Sequence, residues 1–250
     1  MSATGAGAQP RAVDVPTERG LARAWVHPAE ASADPDHLGE RLPGRAGGTA
    51  LVLGHGAGGG IDARDLAALA AALPGLGVTV ALVEQPWRVA GRRVAGPPAG
   101  LDQAWTAVLG DAGFRAASGL AAGARLVCGG RSAGARVACR TAQAVSAAAV
   151  VALAFPLYPP GRIGQPERSR AGELATAGCP LLIVQGGRDP FGRPQDFVDP
   201  QLVDVSGIAQ IVAVPEADHG FAVARRLAAG PTQALDVLVG AVCDFLRALS

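Results

Sequence analysis

Hydrophobic residues along the chain fall into short uninterrupted runs that alternate with longer stretches in which Leu and Ala recur at helical spacing. The runs predict strands over residues 49–53, 78–83, 125–129, 148–155, 181–185 and 210–214. The longer stretches predict helices over residues 63–73, 101–117, 133–145 and 232–249. Most of the runs are apolar throughout rather than alternating, which is typical of parallel strands covered by helices on both faces.

This alternation of strand and helix predicts an α/β fold with a doubly wound, mostly parallel sheet. A chain of 250 residues suits one such domain, which we place at residues 19–250. Residues 1–18 are rich in Ala, Gly and Pro without any period, so they predict a disordered tail. Weak alternation over residues 21–27 predicts an early edge strand, and the Pro- and Gly-rich residues 28–47 predict a loop.

Composition excludes several classes of function. The net charge of +1 produces no field that would attract nucleic acid or an acidic membrane. The chain contains no Lys, so a Lys Schiff base is impossible. Its four Cys are scattered without a C-x-x-C pair, which predicts no metal site. The N-terminus lacks an apolar signal region and the longest apolar run, residues 147–157, is too short to cross a bilayer, so we expect a soluble cytoplasmic protein.

One pentapeptide carries chemistry: Gly130-Arg131-Ser132-Ala133-Gly134 has the pattern G-x-S-x-G. It lies directly between a predicted strand and a predicted helix, which is the context this motif requires. A strand that turns at once into a helix leaves the hydroxyl of Ser132 protruding, and only small residues fit around so tight a turn. The helix N-terminus then favours negative charge beside that hydroxyl. We therefore predict that Ser132 is a nucleophile.

A serine hydroxyl is a weak nucleophile at neutral pH and needs a base. His219 lies just after the last predicted strand and before the final helix. His55 belongs to a Gly-rich loop, and His27 and His37 lie in the polar N-terminal region, where we expect solvated side chains. His219 is the predicted general base.

The base in turn needs a carboxylate that orients it, and Asp189 follows the strand predicted at residues 181–185. The chain order is then Ser132, Asp189, His219, which is the order expected when the nucleophile lies on such a strand-to-helix turn and differs from the order in the other convergent triads. Asp218 competes with Asp189 because it adjoins His219. Adjacent side chains in a loop usually diverge, however, and Asp204 and Glu84 are weaker alternatives still.

An acyl-transfer site also needs backbone N–H groups that stabilise an oxyanion. One is expected from Ala133, directly after the nucleophile, and the other from Gly56 or Ala57 in the loop His55-Gly56-Ala57-Gly58-Gly59. Gly loops also bind phosphates, but a P-loop requires Lys and the dinucleotide fingerprint is incomplete here. The sequence therefore predicts no cofactor.

Several segments together resemble one α/β-hydrolase family, namely residues 55–59, 84–87, 129–137, 155–161, 185–192 and 218–220. That family includes bacterial proteins described as dienelactone-hydrolase-like, and it is similar to the hydrolase-like domain of a subunit of the NSL chromatin complex. The resemblance covers roughly residues 20–250 and implies the α/β-hydrolase fold with Ser132, Asp189 and His219 as its triad. It implies no particular substrate, because true dienelactone hydrolases have a Cys where this chain has Ser132.

Residues that follow other strand ends are candidates for a substrate pocket: Trp87, Arg92, Tyr158 and Pro159. About 25 residues separate the strands predicted on either side of Pro159, and several Pro residues make the first half of that interval irregular. No large lid domain is therefore expected.

These inferences predict a serine hydrolase that cleaves a carboxylic ester or a related small acyl compound through an acyl-enzyme on Ser132. A small-molecule acyl substrate is the expected partner, and the oligomeric state is left open. Two alternatives remain. One is a catalytically silent scaffold for protein interaction, which the resemblance to chromatin-complex relatives keeps open. The other is an acyltransferase or a peptidase on the same fold.

Overall fold

The computed structural model describes residues 9–30, 48–197, 209–224 and 231–249. Eight strands in these residues form one sheet. They are β1 (Arg11–Thr17), β2 (Gly20–His27), β3 (Thr49–Gly54), β4 (Val78–Glu84), β5 (Arg125–Arg131), β6 (Ala149–Leu153), β7 (Leu181–Gly186) and β8 (Ala209–Val214). The α-helices are α1 (Arg64–Ala72), α2 (Pro86–Val89), α3 (Pro98–Gly110), α4 (Ala112–Ala117), α5 (Ala133–Thr141), α6 (Ala171–Ala175) and α7 (Pro231–Ala248).

The strand order is β1-β2-β4-β3-β5-β6-β7-β8. The pairs β4–β3, β3–β5, β5–β6, β6–β7 and β7–β8 are parallel. The pairs β1–β2 and β2–β4 are antiparallel. The predicted doubly wound, mostly parallel α/β architecture is confirmed. Parallel strands end at the same edge of such a sheet, so the segments that follow β3, β5 and β7 meet there.

Burial on both faces explains why the strands are apolar throughout. In β3, Ala50 and Val52 face the core layer that contains α3 and α5, whereas Leu51 and Leu53 face the layer that contains α1 and α7. All four side chains are fully buried. Successive side chains of a strand point to opposite faces, so a strand between two helix layers needs a hydrophobic residue at every position.

The prediction of a disordered tail over residues 1–18 is wrong where the structure describes the chain. Residues 11–17 form β1, which pairs with β2 from Arg11 opposite Val26 to Thr17 opposite Gly20. Val15 is buried at 1% exposure, and that contact with the core fixes a strand whose other residues are mostly exposed. The predicted edge strand at residues 21–27 is accordingly β2, an internal strand. Residues 1–8 and most of the loop predicted at residues 28–47 lie outside the described residues.

The helix predicted over residues 101–117 is two helices. Asp111 separates α3 from α4, and its side chain accepts a hydrogen bond from the Phe114 N–H, so it caps the second helix. An aspartate at this position satisfies one of the free N–H groups of a helix start. The chain therefore turns where hydrophobic spacing alone predicts continuity.

The interval between β6 and β7 contains only α6 and a short turn at Pro166–Arg168. No lid domain is inserted there, as predicted. Among the described residues, no helix is long and apolar enough to cross a membrane.

Helix α5 lies unusually close to the end of β3. A Cβ atom on Gly134 would stand 2.3 Å from the carbonyl oxygen of Gly54, and one on Gly130 would stand 2.4 Å from the same atom. Both distances are far below van der Waals contact. The two glycines of the pentapeptide are therefore required because backbone packs directly against backbone.

We predict that Gly134→Ala lowers the free energy of unfolding by at least about 3 kcal/mol, at or beyond the upper end of the cost of overpacking, because the clash is with backbone atoms that cannot rotate away. Gly240→Ala is the matched control. Gly240 lies inside α7 with open space at its Cβ position, so alanine there adds about 1 kcal/mol of stability. Urea unfolding of the two variants measures both effects. Equal stability of the two variants would contradict the interpretation that backbone packing excludes a side chain at residue 134.

Candidate active site

Ser132 lies at the junction of β5 and α5, with φ 52° and ψ −110°. A non-glycine residue rarely adopts a positive φ, so the surrounding structure must hold this conformation. The Ser132 N–H donates to the carbonyl oxygen of Leu153 at the end of β6, at 2.9 Å. The close approach of Gly134 to Gly54 holds the other side of the turn. The hydroxyl consequently projects beyond the edge of the sheet.

The structure brings the three predicted residues together. The Nε2 atom of His219 is 3.0 Å from the Oγ of Ser132, and its Nδ1 is 2.8 Å from the Oδ2 of Asp189. A carboxylate only accepts hydrogen bonds, so Nδ1 carries the proton in the neutral imidazole and Nε2 is free to accept one from the hydroxyl. The first of these contacts joins residues that lie 87 positions apart in the chain, and the second joins residues that lie 30 positions apart.

Asp189 is fully buried. Its Oδ1 accepts a hydrogen bond from the Phe191 N–H at 2.8 Å, and its Oδ2 accepts one from the Gln185 side-chain amide at 2.9 Å. The Gln185 amide also donates to the Gly192 carbonyl oxygen at 2.8 Å. A buried carboxylate needs such donors to offset its lost hydration. The sequence reasoning did not identify Gln185, although its position at the end of a buried strand marked it as an unusual polar residue.

The other candidate carboxylates have different partners. Asp218 is exposed and its Oδ1 accepts the N–H groups of Gly220 and Ala222, both at 2.8 Å. It therefore shapes the loop that carries His219 instead of contacting the ring. Glu84 accepts a hydrogen bond from the Trp25 indole. Asp204 lies outside the described residues.

The residues predicted for the oxyanion hole lie beside Ser132. Ala133 is the first residue of α5, and the first N–H groups of a helix have no partner within it. A Cβ on Gly56 would be 3.4 Å from the Cβ of Ser132, so the loop after β3 packs directly on Ser132. Ala57 and Ala133 line one small cleft.

His55 orders this loop. Its Nε2 accepts a hydrogen bond from the Gln85 N–H at 3.2 Å, so Nδ1 carries the proton and donates to the Gly56 carbonyl oxygen at 2.9 Å. Burial lowers the pKa of His55 below its ordinary value, which favours this neutral form. The Trp87 ring packs edge-on against the imidazole with centroids 5.3 Å apart.

Arg131, the variable residue of the pentapeptide, is the main feature that the sequence did not reveal. Its Nε donates to the Oδ2 of Asp65 at 3.0 Å and its Nη2 donates to the His219 carbonyl oxygen at 2.8 Å. Its Nη1 lies next to Gly56, 3.1 Å from where a Cβ would stand. One guanidinium thus joins α1, the His219 loop and the loop after β3. Burial raises the pKa of Asp65, and the neighbouring Arg131 charge opposes that rise.

The predicted pocket residues separate into two pairs. Trp87 and Arg92 line the same cavity beside the loop after β3. Tyr158 is 1% exposed and belongs to the hydrophobic core, and its N–H donates to the Phe191 carbonyl oxygen. The structure therefore assigns Tyr158 to packing, contrary to the prediction, because the chain after β6 folds inward at this residue. Pro159 is half-buried beside it, and its role in a pocket stays a prediction.

The cysteines lie apart from this site. Cys128 and Cys139 are free thiols buried in the core, and burial raises the pKa of each far above its ordinary value. Such thiols stay protonated and are poor nucleophiles. In the described part of the chain, no group of three or more His, Cys, Asp or Glu side chains is placed to hold a metal ion.

Sequence comparison identifies the class of protein. The profile of the alpha/beta hydrolase domain family matches residues 47–247, and the chain belongs to that family. No curated protein matches the sequence significantly.

Solved structures of similar fold cover nearly the whole chain. An α/β serine hydrolase without a lid from Xanthomonas campestris is 22% identical with a TM-score of 0.63, over 94% of each chain. Est1E from Butyrivibrio proteoclasticus is 15% identical with a TM-score of 0.66, over 95% of this chain and 98% of that one. A dienelactone hydrolase from Anabaena variabilis is 15% identical with a TM-score of 0.64, over 94% and 96%. The predicted superfamily and lidless fold are confirmed, while the likeness to the chromatin-complex subunit stays a prediction.

We predict that Arg131→Met lowers the free energy of unfolding by about 3–5 kcal/mol at neutral pH, because it leaves the 1%-exposed Asp65 without its cation. Adding Asp65→Asn to Arg131→Met removes the buried charge and recovers most of that loss. Arg23→Met breaks an ion pair between two partly exposed side chains and should cost far less, because water screens that pair. Urea unfolding measures the three variants.

The loss in Arg131→Met also depends on pH. Asp65 without its cation has a still higher pKa in the folded protein, so its penalty is absent below the unfolded pKa of about 4 and grows as pH rises through the folded value. Stability loss should therefore shrink in acid. A loss no larger than that of Arg23→Met, or one that is independent of pH, would contradict the buried-pair interpretation.

Proposed function

We propose that this protein is a serine hydrolase that cleaves a carboxylic ester or a related small acyl compound, with Ser132, His219 and Asp189 as its catalytic triad. The proposal is supported above all by the continuous hydrogen-bonded relay from the buried Asp189 through His219 to the Ser132 hydroxyl. Membership of the alpha/beta hydrolase family supports it at a coarser level.

The chemistry follows from the tautomer of His219. As the Ser132 Oγ attacks the substrate carbonyl carbon, Nε2 takes the hydroxyl proton and the imidazole becomes a cation that Asp189 stabilises. The carbonyl π electrons move onto oxygen. When the tetrahedral intermediate collapses, the imidazolium returns its proton to the departing alkoxide, and an acyl-enzyme remains on Ser132. Water then attacks the acyl carbon while the His219 Nε2 takes a proton from it. Collapse of this second tetrahedral intermediate returns the proton to the Ser132 Oγ and releases the acid.

The oxyanion forms where the N-terminus of α5 meets the loop after β3. We assign its two donors to the N–H of Ala133 and to that of Gly56 or Ala57. Backbone donors fixed in advance cost no reorganisation during the reaction, and one such donor is worth roughly 10²–10³ in kcat. His55 supports this assignment because its bond to the Gly56 carbonyl oxygen holds the loop in place.

Arg131 and Phe191 position the base. Arg131 holds the backbone of His219 through the carbonyl oxygen, and the Phe191 ring packs on the imidazole with centroids 4.4 Å apart. The ring thus has little freedom to turn away from Ser132. A protein-interaction scaffold has no need of this precision, and no observation in the described residues favours that alternative.

A fluorophosphonate probe tests the proposal directly. We expect one adduct on the folded protein, at Ser132, with labelling abolished in Ser132→Ala at an unchanged unfolding midpoint. Ser169→Ala is the control, since Ser169 only accepts a local backbone hydrogen bond and its loss should leave labelling intact. Mass spectrometry locates the adduct. An adduct on another serine, or none on folded protein, would refute the proposal.

Substitution of the two neighbouring aspartates ranks their roles. Asp189→Asn should lower kcat/KM by a factor on the order of 10⁴, because the amide no longer selects the tautomer with the proton on Nδ1. Asp218→Asn keeps an oxygen that accepts the Gly220 and Ala222 N–H groups, so the loss should stay below about tenfold. Hydrolysis of a p-nitrophenyl ester measures both. A larger loss for Asp218→Asn would show that the wrong carboxylate is assigned.

A further inference from the structure

A surface cavity of ≈ 360 Å³ lies beside the loop after β3. Its apolar wall includes Leu21, Trp87, Val94 and Leu101. The turn between β1 and β2, the segment around α2 and the start of α3 all contribute to it. Cavities that bind small molecules have this character, mostly apolar with a few polar groups that set specificity.

The charged side chains of this cavity are cationic. Arg19 and Arg92 both line it, and its lining includes no Asp or Glu. Arg19 donates from Nε to the neutral Gln103 side-chain oxygen at 2.7 Å, which orients the guanidinium without cancelling its charge. Across the residues that the structure describes, neither arginine forms an ion pair. The cavity therefore presents uncompensated positive charge.

The cavity adjoins a second cleft that lies nearer to the proposed oxyanion position. This smaller cleft, lined by Ala57 and Ala133 on either side of the assigned oxyanion position, shares Gln85, Trp87 and Leu101 with it. The Gln85 side chain is 6% exposed, and its Oε1 has no hydrogen-bond partner in the described structure. A buried polar atom without a partner is costly. Gln85 belongs to the wall that the cleft and the cavity share.

The sheet order determines which part of a substrate lies there. Asp189 and His219 follow β7 and β8, so the imidazole approaches Ser132 from that side of the sheet. The leaving alcohol must lie within reach of the His219 Nε2 that protonates it. The cavity lies on the opposite side, near β4 and β2, and therefore faces the acyl part.

We propose that the acyl part of the substrate ends in a carboxylate that Arg19 and Arg92 bind, which makes the substrate a monoester of a dicarboxylic acid. This inference rests on the proposed function. Guanidinium groups bind carboxylates through charge-assisted hydrogen bonds, while Trp87 and Leu101 pack against the methylene groups. Three strand spacings of about 4.8 Å, roughly 14 Å in all, separate β5 from β2. An acyl chain of several carbons spans part of that distance and the arginine side chains span the rest.

The test compares p-nitrophenyl monoesters of glutarate, adipate and suberate with pentanoate, hexanoate and octanoate esters of matched length. We expect at least a tenfold higher kcat/KM for the best carboxylate ester than for its neutral match, mainly through KM, and a smaller ratio at high salt. Arg92→Gln and Arg19→Gln should each reduce that ratio about tenfold. Arg93→Gln is the matched control, because its side chain does not line the cavity, and it should leave the ratio unchanged.

Binding supplies a readout that does not need turnover. Calorimetry on Ser132→Ala should detect adipate, and adding Arg92→Gln should weaken binding about tenfold. Hydrolysis that depends on Ser132 with no preference for carboxylate esters would overturn the cavity assignment and leave the proposed function intact. Adipate binding by a protein that the fluorophosphonate never labels would refute the proposed function and support the cavity. An equal effect of Arg93→Gln and Arg92→Gln would show that the preference arises from general surface charge, which would overturn the cavity assignment.

Discussion

The contact of backbone with backbone between the N-terminus of α5 and the end of β3 is the constraint on which the site depends. The Cβ positions of Gly130 and Gly134 are filled by the carbonyl group of Gly54. Only this approach lets the chain turn from β5 into α5 within one residue, and the turn forces Ser132 into its positive φ. The same contact brings the loop after β3 against Ser132, so one backbone contact fixes the positions of the proposed nucleophile and of its proposed oxyanion donors.

A second constraint holds His219 against this turn. Asp65 and Arg131 form an ion pair in which both side chains are largely buried, and such pairs rarely add net stability because desolvation offsets the attraction. What the pair adds is geometry. Arg131 adjoins Ser132 in sequence and donates to the His219 carbonyl oxygen, so the residue that precedes Ser132 also holds the loop that carries His219. Ser132, His219 and the loop after β3 are thereby coupled through a single side chain.

Buried polar side chains also link the loops of the site to one another. The Gln185 amide links Asp189 to the Gly192 carbonyl oxygen, and the His55 ring links Gly56 to Gln85. Each places a strong donor or acceptor where water is excluded, which the core tolerates because the group is bonded. The unpartnered Gln85 oxygen is an exception in the wall between cleft and cavity. Within the described residues, the interval between β6 and β7 inserts no lid domain at this edge of the sheet.

Local and periodic patterns in the sequence were enough to predict most of the strands, the turn at Ser132 and the residues that meet there. Continuous apolar runs predicted the parallel strands because both faces of each are buried, and the spacing of G-x-S-x-G predicted the turn because only glycine permits it. The positions of Asp189 and His219 after strands predicted their meeting, since parallel strands end at one edge. Strand β1 was missed because Val15 alone buries deeply, and burial of Tyr158 was missed because a Pro-rich segment has no period.

Only the tertiary structure decided the rest. Arg131 donates to residues 66 and 88 positions away, and Arg19 donates to one 84 positions away. The sequence around a long polar side chain has no periodic pattern that would predict such a contact. The contact of His219 with Asp189 and not with Asp218 likewise depends on distance and direction, which a sequence does not contain. Buried hydrophobic positions recur with the period of a helix or a strand, so a single sequence is enough to predict them. A hydrogen bond between distant residues depends on one particular geometry, which exists only in the folded chain.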